Sequence, residues 1–129
     1  MYKELAITII IVVLIIVGNI ITQNNTNKCV QRMSEELNKF REEIIFKKIN
    51  KEQAKSQIQN IENVWREETE KLAYYIEHDE IEKAETELTK LKADIEVEEY
   101  SIAVENLDNC IFLLEHIKDK SALKIVNVF

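Results

Sequence analysis

Past Gly18 the chain contains no glycine, and proline occurs nowhere in its 129 residues. Tight turns between strands draw on glycine, asparagine and proline for their special backbone angles, so a β-rich domain would have almost nothing to turn with. The abundant residues are Glu, Lys, Leu, Ile and Ala, which lose little on entering a helix. The expected fold class is all-α: an N-terminal transmembrane helix followed by a small antiparallel bundle of three to four helices.

Gly18 itself lies within Leu5–Ile21, LAITIIIVVLIIVGNII, 17 residues whose only polar side chains are Thr8 and Asn19. As a helix this run covers about 26 Å, slightly short of a hydrocarbon core of ~30 Å, and Tyr2 and Thr22 suit the flanking interfaces. In lipid every backbone polar group must be paired, so the β-branched run has to be helical there. A cleaved signal peptide would have a shorter apolar region and small residues in an A-x-A-like pattern. Here the run continues through Ile20, Ile21, Thr22 and Gln23 without such a site, and residues 1–22 read as an uncleaved anchor. Tyr2 in place of glycine excludes N-myristoylation, and Thr26-Asn27-Lys28 before Cys29 does not resemble a lipoprotein signal. Flanking charge is nearly balanced, Lys3 and Glu4 on one side against Lys28 and Arg32 on the other. The short segment ahead of the apolar run resembles a signal anchor, which gives a single-pass cell-membrane protein with residues 28–129 extracytoplasmic.

Residues 23–27, QNNTN, read as a polar linker, an interfacial hinge and helix cap. Asn24-Asn25-Thr26 matches the glycosylation sequon, which only a eukaryotic secretory setting would use. Beyond it, residues 28–129 carry apolar stripes at helical spacing. The first is Val30, Met33, Leu37, Phe40 and Ile44; the second is Ile58, Ile61, Trp65, Leu72 and Ile76. The third is Ile81, Ala84, Leu88, Leu91 and Ile95; the fourth is Tyr100, Ala103, Leu107, Cys110 or Ile111, Leu114 and Ile117. Asn50 with Gln53, and Asp79 with Glu82, have the spacing of helix-capping pairs. Short connections near Asn50, His78 and Glu98 make successive helices antiparallel neighbours, as in small bundles and coiled coils. The apolar segment Ala122–Phe129 is expected to dock on the bundle, because exposed it would be a sticky patch.

The formal charge of −7 falls wholly outside the apolar segment, since Lys3 and Glu4 cancel. Such a domain repels nucleic-acid phosphates, so no nucleic acid is expected among its partners. Lys47, Lys48, Lys51 and Lys55 cluster, but glutamates flank them and a solvated helix face is the better reading. Cys29 and Cys110 stand alone, with no CxxC or Cys/His spacing, so zinc is unsupported. A disulfide between them stays open for an extracytoplasmic domain, while Cys110 also reads as a small apolar residue on its stripe.

The two histidines are the only candidates for a metal-binding or pH-responsive site. A hairpin of the last two helices turning at 97–99 brings His78 and His116 to one end, among Glu77, Asp79, Glu80, Glu115 and Asp119. The plainer reading is that His116 suits the negative end of its helix and His78 lies in a turn. Trp65, with Tyr74, Tyr75 and Tyr100, could line an aromatic ligand site, but Trp65 is in register with its stripe and belongs to the core. The glutamates form no matched pair in an apolar pocket pattern, and some have helical partners such as Glu67 with Lys71. No glycine-rich phosphate loop is possible, no cofactor is implied, and no catalytic residue stands out.

Trp65, His78-Asp79-Glu80-Ile81, Leu113-Leu114-Glu115-His116-Ile117 and Leu123–Phe129, taken in order, resemble a family of small clostridial and related Firmicutes proteins. It is a domain of unknown function behind one N-terminal membrane helix. The resemblance covers nearly the whole chain, although residues 28–55 match only in helical character. It implies a bacterial envelope protein and brings no activity and no functional residues.

The expected role is a membrane-anchored, non-enzymatic helical scaffold or accessory protein, bound to a protein partner or to its own copies by helix packing. The alternative is an envelope sensor or metal-binding module at the His78/His116 end.

Overall fold

The computed structural model describes the backbone of residues 1–72 and 76–128, and their side chains except those of 121 and 123–128. Among the described residues there are four α-helices and no strand: α1 Tyr2–Glu42, α2 Lys51–Leu72, α3 His78–Glu96 and α4 Tyr100–Val128. The all-α expectation holds.

The organisation differs from expectation at residues 23–27. No linker interrupts them, and α1 runs through as one helix of 41 residues, a rod of about 61 Å. None of the five residues is glycine or proline, so nothing breaks the hydrogen-bond ladder. Gln23 Nε2 donates to Asn27 Oδ1 one turn on, at 2.8 Å, and Thr26 is wholly buried. Asn24 and Asn25 face outward, and core packing around Thr26 holds the backbone helical. Of the Asn24-Asn25-Thr26 sequon, Thr26 is buried while Asn24 and Asn25 are exposed on the helix.

The turns show how the chain manages without glycine. A π-helical turn, Glu43–Lys47, ends α1, and Lys48 then adopts φ 45°, ψ 55°. Glu98, between α3 and α4, has φ 58°. Both occupy the left-handed region that glycine normally fills at a helix end, at a cost of ~1–2 kcal/mol each. Asn50 and Gln53 form the expected reciprocal cap of α2: Gln53 N donates to Asn50 Oδ1 at 2.8 Å, and Asn50 N to Gln53 Oε1 at 3.2 Å. At α3 the cap position falls two residues earlier than expected. Glu77 is the extended residue before the helix, and Asp79 lies in its first turn.

Contacts join α1 to α2, α2 to α3, α3 to α4, and α4 back to α1. Successive helices are antiparallel, so the bundle is a closed up-down-up-down arrangement. Polar pairs cross every interface and fix its register. Arg41 meets Asp108 at 2.8 Å, Lys55 meets Glu96 at 3.2 Å, and Asn106 donates to Asp94.

The stripes form the core as expected. Val30, Met33, Leu37, Phe40, Ile58, Ile61, Trp65, Leu91, Ile95, Leu107, Leu114 and Ile117 are all buried together, with Ile44, Ile76, Tyr100 and Ile111 packed at the margin. Each large aliphatic side chain so buried contributes roughly 1.5–3 kcal/mol. Leu5–Ile21 is the opposite case. Its side chains point outward all round the helix, Leu14 being 65% and Ile10 58% exposed. This segment is long and apolar enough to cross a membrane.

Candidate functional site

The two nearly buried glutamates, Glu68 and Glu80, both lie at the end of the bundle nearest the apolar run. There the start of α1's core stripe, the end of α2, the start of α3 and the later turns of α4 come together, and two ion clusters tie them.

The first joins α1 to α2. Arg32 Nη1 donates to Glu68 Oε1 at 2.6 Å and Nη2 to Glu67 Oε2 at 3.3 Å. Only 8% of the Glu68 side chain is exposed, and Lys71 stands 4.0 Å from it on the outside. Thus Lys71 reaches Glu68 rather than Glu67, which turns to Arg32. Hydrogen bonding to Glu68 raises the Arg32 pKa above its ordinary value. Cys29 lies against the same carboxylate. Burial first, then the Glu68 charge and hydrogen bond, push its thiol up to about 12.

The second cluster joins α4 to the start of α3. Lys120 Nζ donates to Glu77 Oε2 and Glu80 Oε1, both at 3.1 Å. Glu80 is almost fully enclosed. Hydrogen bonds to Glu77 and then Glu80 raise the Lys120 pKa. The clasp does bring His78 and His116 to one end, as the sequence suggested, but Lys120 occupies its centre. His78 Nε2 is 2.9 Å from Glu82 Oε1 within its own helix and is 82% exposed. His116 is exposed on α4. Among the described residues no group of three or more His, Cys, Asp or Glu side chains converges as metal ligands would.

Cys29 and Cys110 are both free and buried. Cys110 lies beside Leu37 and Leu114, whereas Cys29 is two turns further down α1, about 12 Å along the axis. That spacing puts them beyond disulfide reach. Burial, with a smaller push from Glu87, takes the Cys110 thiol up to about 12. Both are protonated, apolar packing groups and poor nucleophiles.

Trp65 is in the core, 5% exposed, with its indole nitrogen 3.4 Å from Glu85 Oε1. Its edge reaches a shallow groove of about 290 Å³ between α2 and α3, lined by Glu62, Arg66, Glu85 and Lys92 among others. Those charges neutralise one another; Lys92 is 3.6 Å from Glu62. Tyr74 and Tyr75 lie outside the described residues, and Tyr100 is half-buried at the start of α4.

The buried glutamates were missed by reading apolar letters alone, although one signal for Glu68 was present. It fills the gap in the second stripe between Trp65 and Leu72, at the spacing where another apolar residue belongs.

Fold and polar clusters together define an all-helical bundle whose first core helix is continuous with a membrane-length apolar segment. Residues 20–128 match the family model of a domain of unknown function, DUF4363, and the chain belongs to that family. The match bears out the domain of unknown function to which Trp65 and the later motifs pointed. No curated protein and no solved structure matches the chain.

Proposed function

We propose that this protein is a membrane-anchored, non-enzymatic scaffold or accessory protein that holds a helical bundle off the bilayer and presents it to a protein partner. One observation carries the reading: the apolar segment and the bundle's first core helix are a single unbroken α1. An anchor so joined sets the direction and height of what it carries, which suits a positioning role better than a tether.

The far tip supports the same reading. Outside α1 the most exposed large apolar side chains include Phe46 at 77%, Phe112 at 71% and Val97 at 68%. Phe46 and Val97 stand at the tip, on the turns that end α1 and α3. Exposed aromatic residues of this kind are typical anchors of protein interfaces. The buried carboxylates Glu68 and Glu80, by contrast, each give one oxygen to Arg32 or Lys120 in holding helices together.

The test is purification of the full chain from gently solubilised membranes, beside a Phe46→Ser variant. The expected result is a stoichiometric protein partner, or a defined homo-oligomer, that the variant loses while remaining folded. A strictly monomeric, partnerless protein from native membranes would overturn the proposal.

A further inference from the structure

The tip of the bundle away from the apolar run is described in full, whereas the docking expected of Ala122–Phe129 falls almost wholly on side chains outside the described residues. Contacts run from α1 to α2, to α3, to α4 and back to α1. The α1–α2 turn and the α3–α4 turn therefore stand on opposite edges of that tip. The Lys55–Glu96 pair, at 3.2 Å, holds the two edges at nearly one height.

The edges carry opposite charge. On the α1–α2 edge, residues 44–51 read IIFKKINK, with three lysines and no acid. Glu42, Glu43 and Glu52 flank them, yet Lys47, Lys48 and Lys51 have no ion pair among the described residues. On the α3–α4 edge the chain runs from Ala93 to Ile117 without a Lys or Arg. Arg41 takes up Asp108, and Lys55 takes up Glu96. Glu98, Glu99 and Glu105 stay exposed, with no ion pair among the described residues. Large apolar side chains sit among these charges on both edges: Ile45 and Phe46 are exposed on the first, Val97 and Ile102 on the second. Each edge thus supplies what the other lacks, and charge complementarity of this kind selects both partner and orientation.

We propose that the partner is a second copy of this chain, bound head to tail in the plane of the membrane. The α1–α2 edge of one copy meets the α3–α4 edge of the next. The contact rests on the anchored-scaffold reading above, since a shared membrane is what holds the copies at a common height. A two-fold axis along the membrane normal would set like edges together, lysine against lysine. Any other rotation about that normal, or a translation, sets unlike edges together and repeats. The contact is small, and confinement to one bilayer supplies the effective concentration that a small contact needs.

The experiment is cross-linking of full chains, reconstituted in vesicles, with a flexible bis-maleimide. Ser56→Cys places a thiol beside the lysine edge, where Ser56 lines a groove with Lys47. Ser101→Cys places one beside Glu98 and Glu99. Both positions are exposed, and the wild type, with Cys29 and Cys110 buried, gives the background. A mixture of the two variants is expected to give several-fold more dimer than either variant alone. Adding Lys47→Glu and Lys48→Glu to the Ser56→Cys chain should remove that excess. Adding Glu98→Lys and Glu99→Lys to the Ser101→Cys chain as well should restore it. Equal dimer from Ser56→Cys alone, an excess that the lysine reversals leave in place, or no excess at all would each overturn the head-to-tail contact. A stoichiometric partner of another kind would then leave the anchored-scaffold reading standing, whereas a partnerless monomer removes both.

Discussion

Cys110 offers a test in which the sign of a mutational effect reverses with pH. Its thiol is 2% exposed, among Met33, Leu37, Ala84, Leu88 and Leu114. Burial and the Glu87 charge raise its pKa from 9.0 to about 12. In the unfolded chain the thiol ionises from about pH 9 upward; in the folded chain it stays protonated. Above pH 9 the folded state thus binds more protons, so stability present below that pH is lost as pH rises toward the folded value. At ~1.4 kcal/mol per pH unit, the thiol costs the wild type about 2 kcal/mol at pH 10.5. Cys110→Ala forgoes that dependence and loses about 1 kcal/mol of packing instead. Wild type should therefore be the more stable protein at pH 8, and Cys110→Ala the more stable at pH 10.5. Lysine and tyrosine titration is common to both proteins and cancels in the difference. Urea unfolding in detergent, followed by the fluorescence of neighbouring Trp65, measures it. A difference between the two proteins that stays constant from pH 8 to 10.5 would refute the assignment of a buried, neutral thiol.

Further expectations concern the turns, the first helix and the ion clusters. Glu98→Gly should raise stability by about 1 kcal/mol, because glycine adopts φ 58° without strain; the unfolding midpoint reports it. Thr26→Val should stabilise by ~1 kcal/mol, since the Thr26 Oγ1 is buried without a partner among the described residues. Arg32→Met should lower the unfolding midpoint by leaving the Glu68 carboxylate uncompensated, and adding Glu68→Leu should restore it. In reconstituted vesicles at pH 8, Cys29 should resist maleimide while Ser101→Cys, on an exposed position, is modified from its own side of the membrane.

Periodicity made most of the fold legible. The third stripe, Ile81 to Ile95, is buried at every expected position, because a residue faces the core or solvent according to the 3.6-residue repeat. The Asn50–Gln53 cap was equally plain, since reciprocal side-chain bonds need that spacing. Residues 23–27 misled for a definite reason. Asparagine and threonine favour turns by local propensity, but Asn19, Gln23 and Thr26 continue the phase of Cys29, Met33 and Leu37, and tertiary packing outweighs a preference worth fractions of a kcal/mol per residue. Little of the polar architecture was legible. The Arg32–Glu68 and Lys120–Glu80 pairs join residues far apart in the chain, and their partners follow from helix register, which no single stripe encodes. The histidine end was placed correctly, yet its centre is a lysine, a residue with nothing in its spacing to mark it.

The unbroken α1 also has a consequence for distance. Residues 22–42 rise ~30 Å above the end of the apolar run. Membrane helices tilt by ~20° on average, and a straight rod so tilted carries its far end ~10 Å sideways while giving up only ~2 Å of height. Anchored as proposed, the bundle would behave as a mast of nearly constant length. Phe46 and Val97 would sweep a ring at one altitude above the bilayer, and a neighbour embedded in the same membrane could meet them only with a surface raised to that altitude.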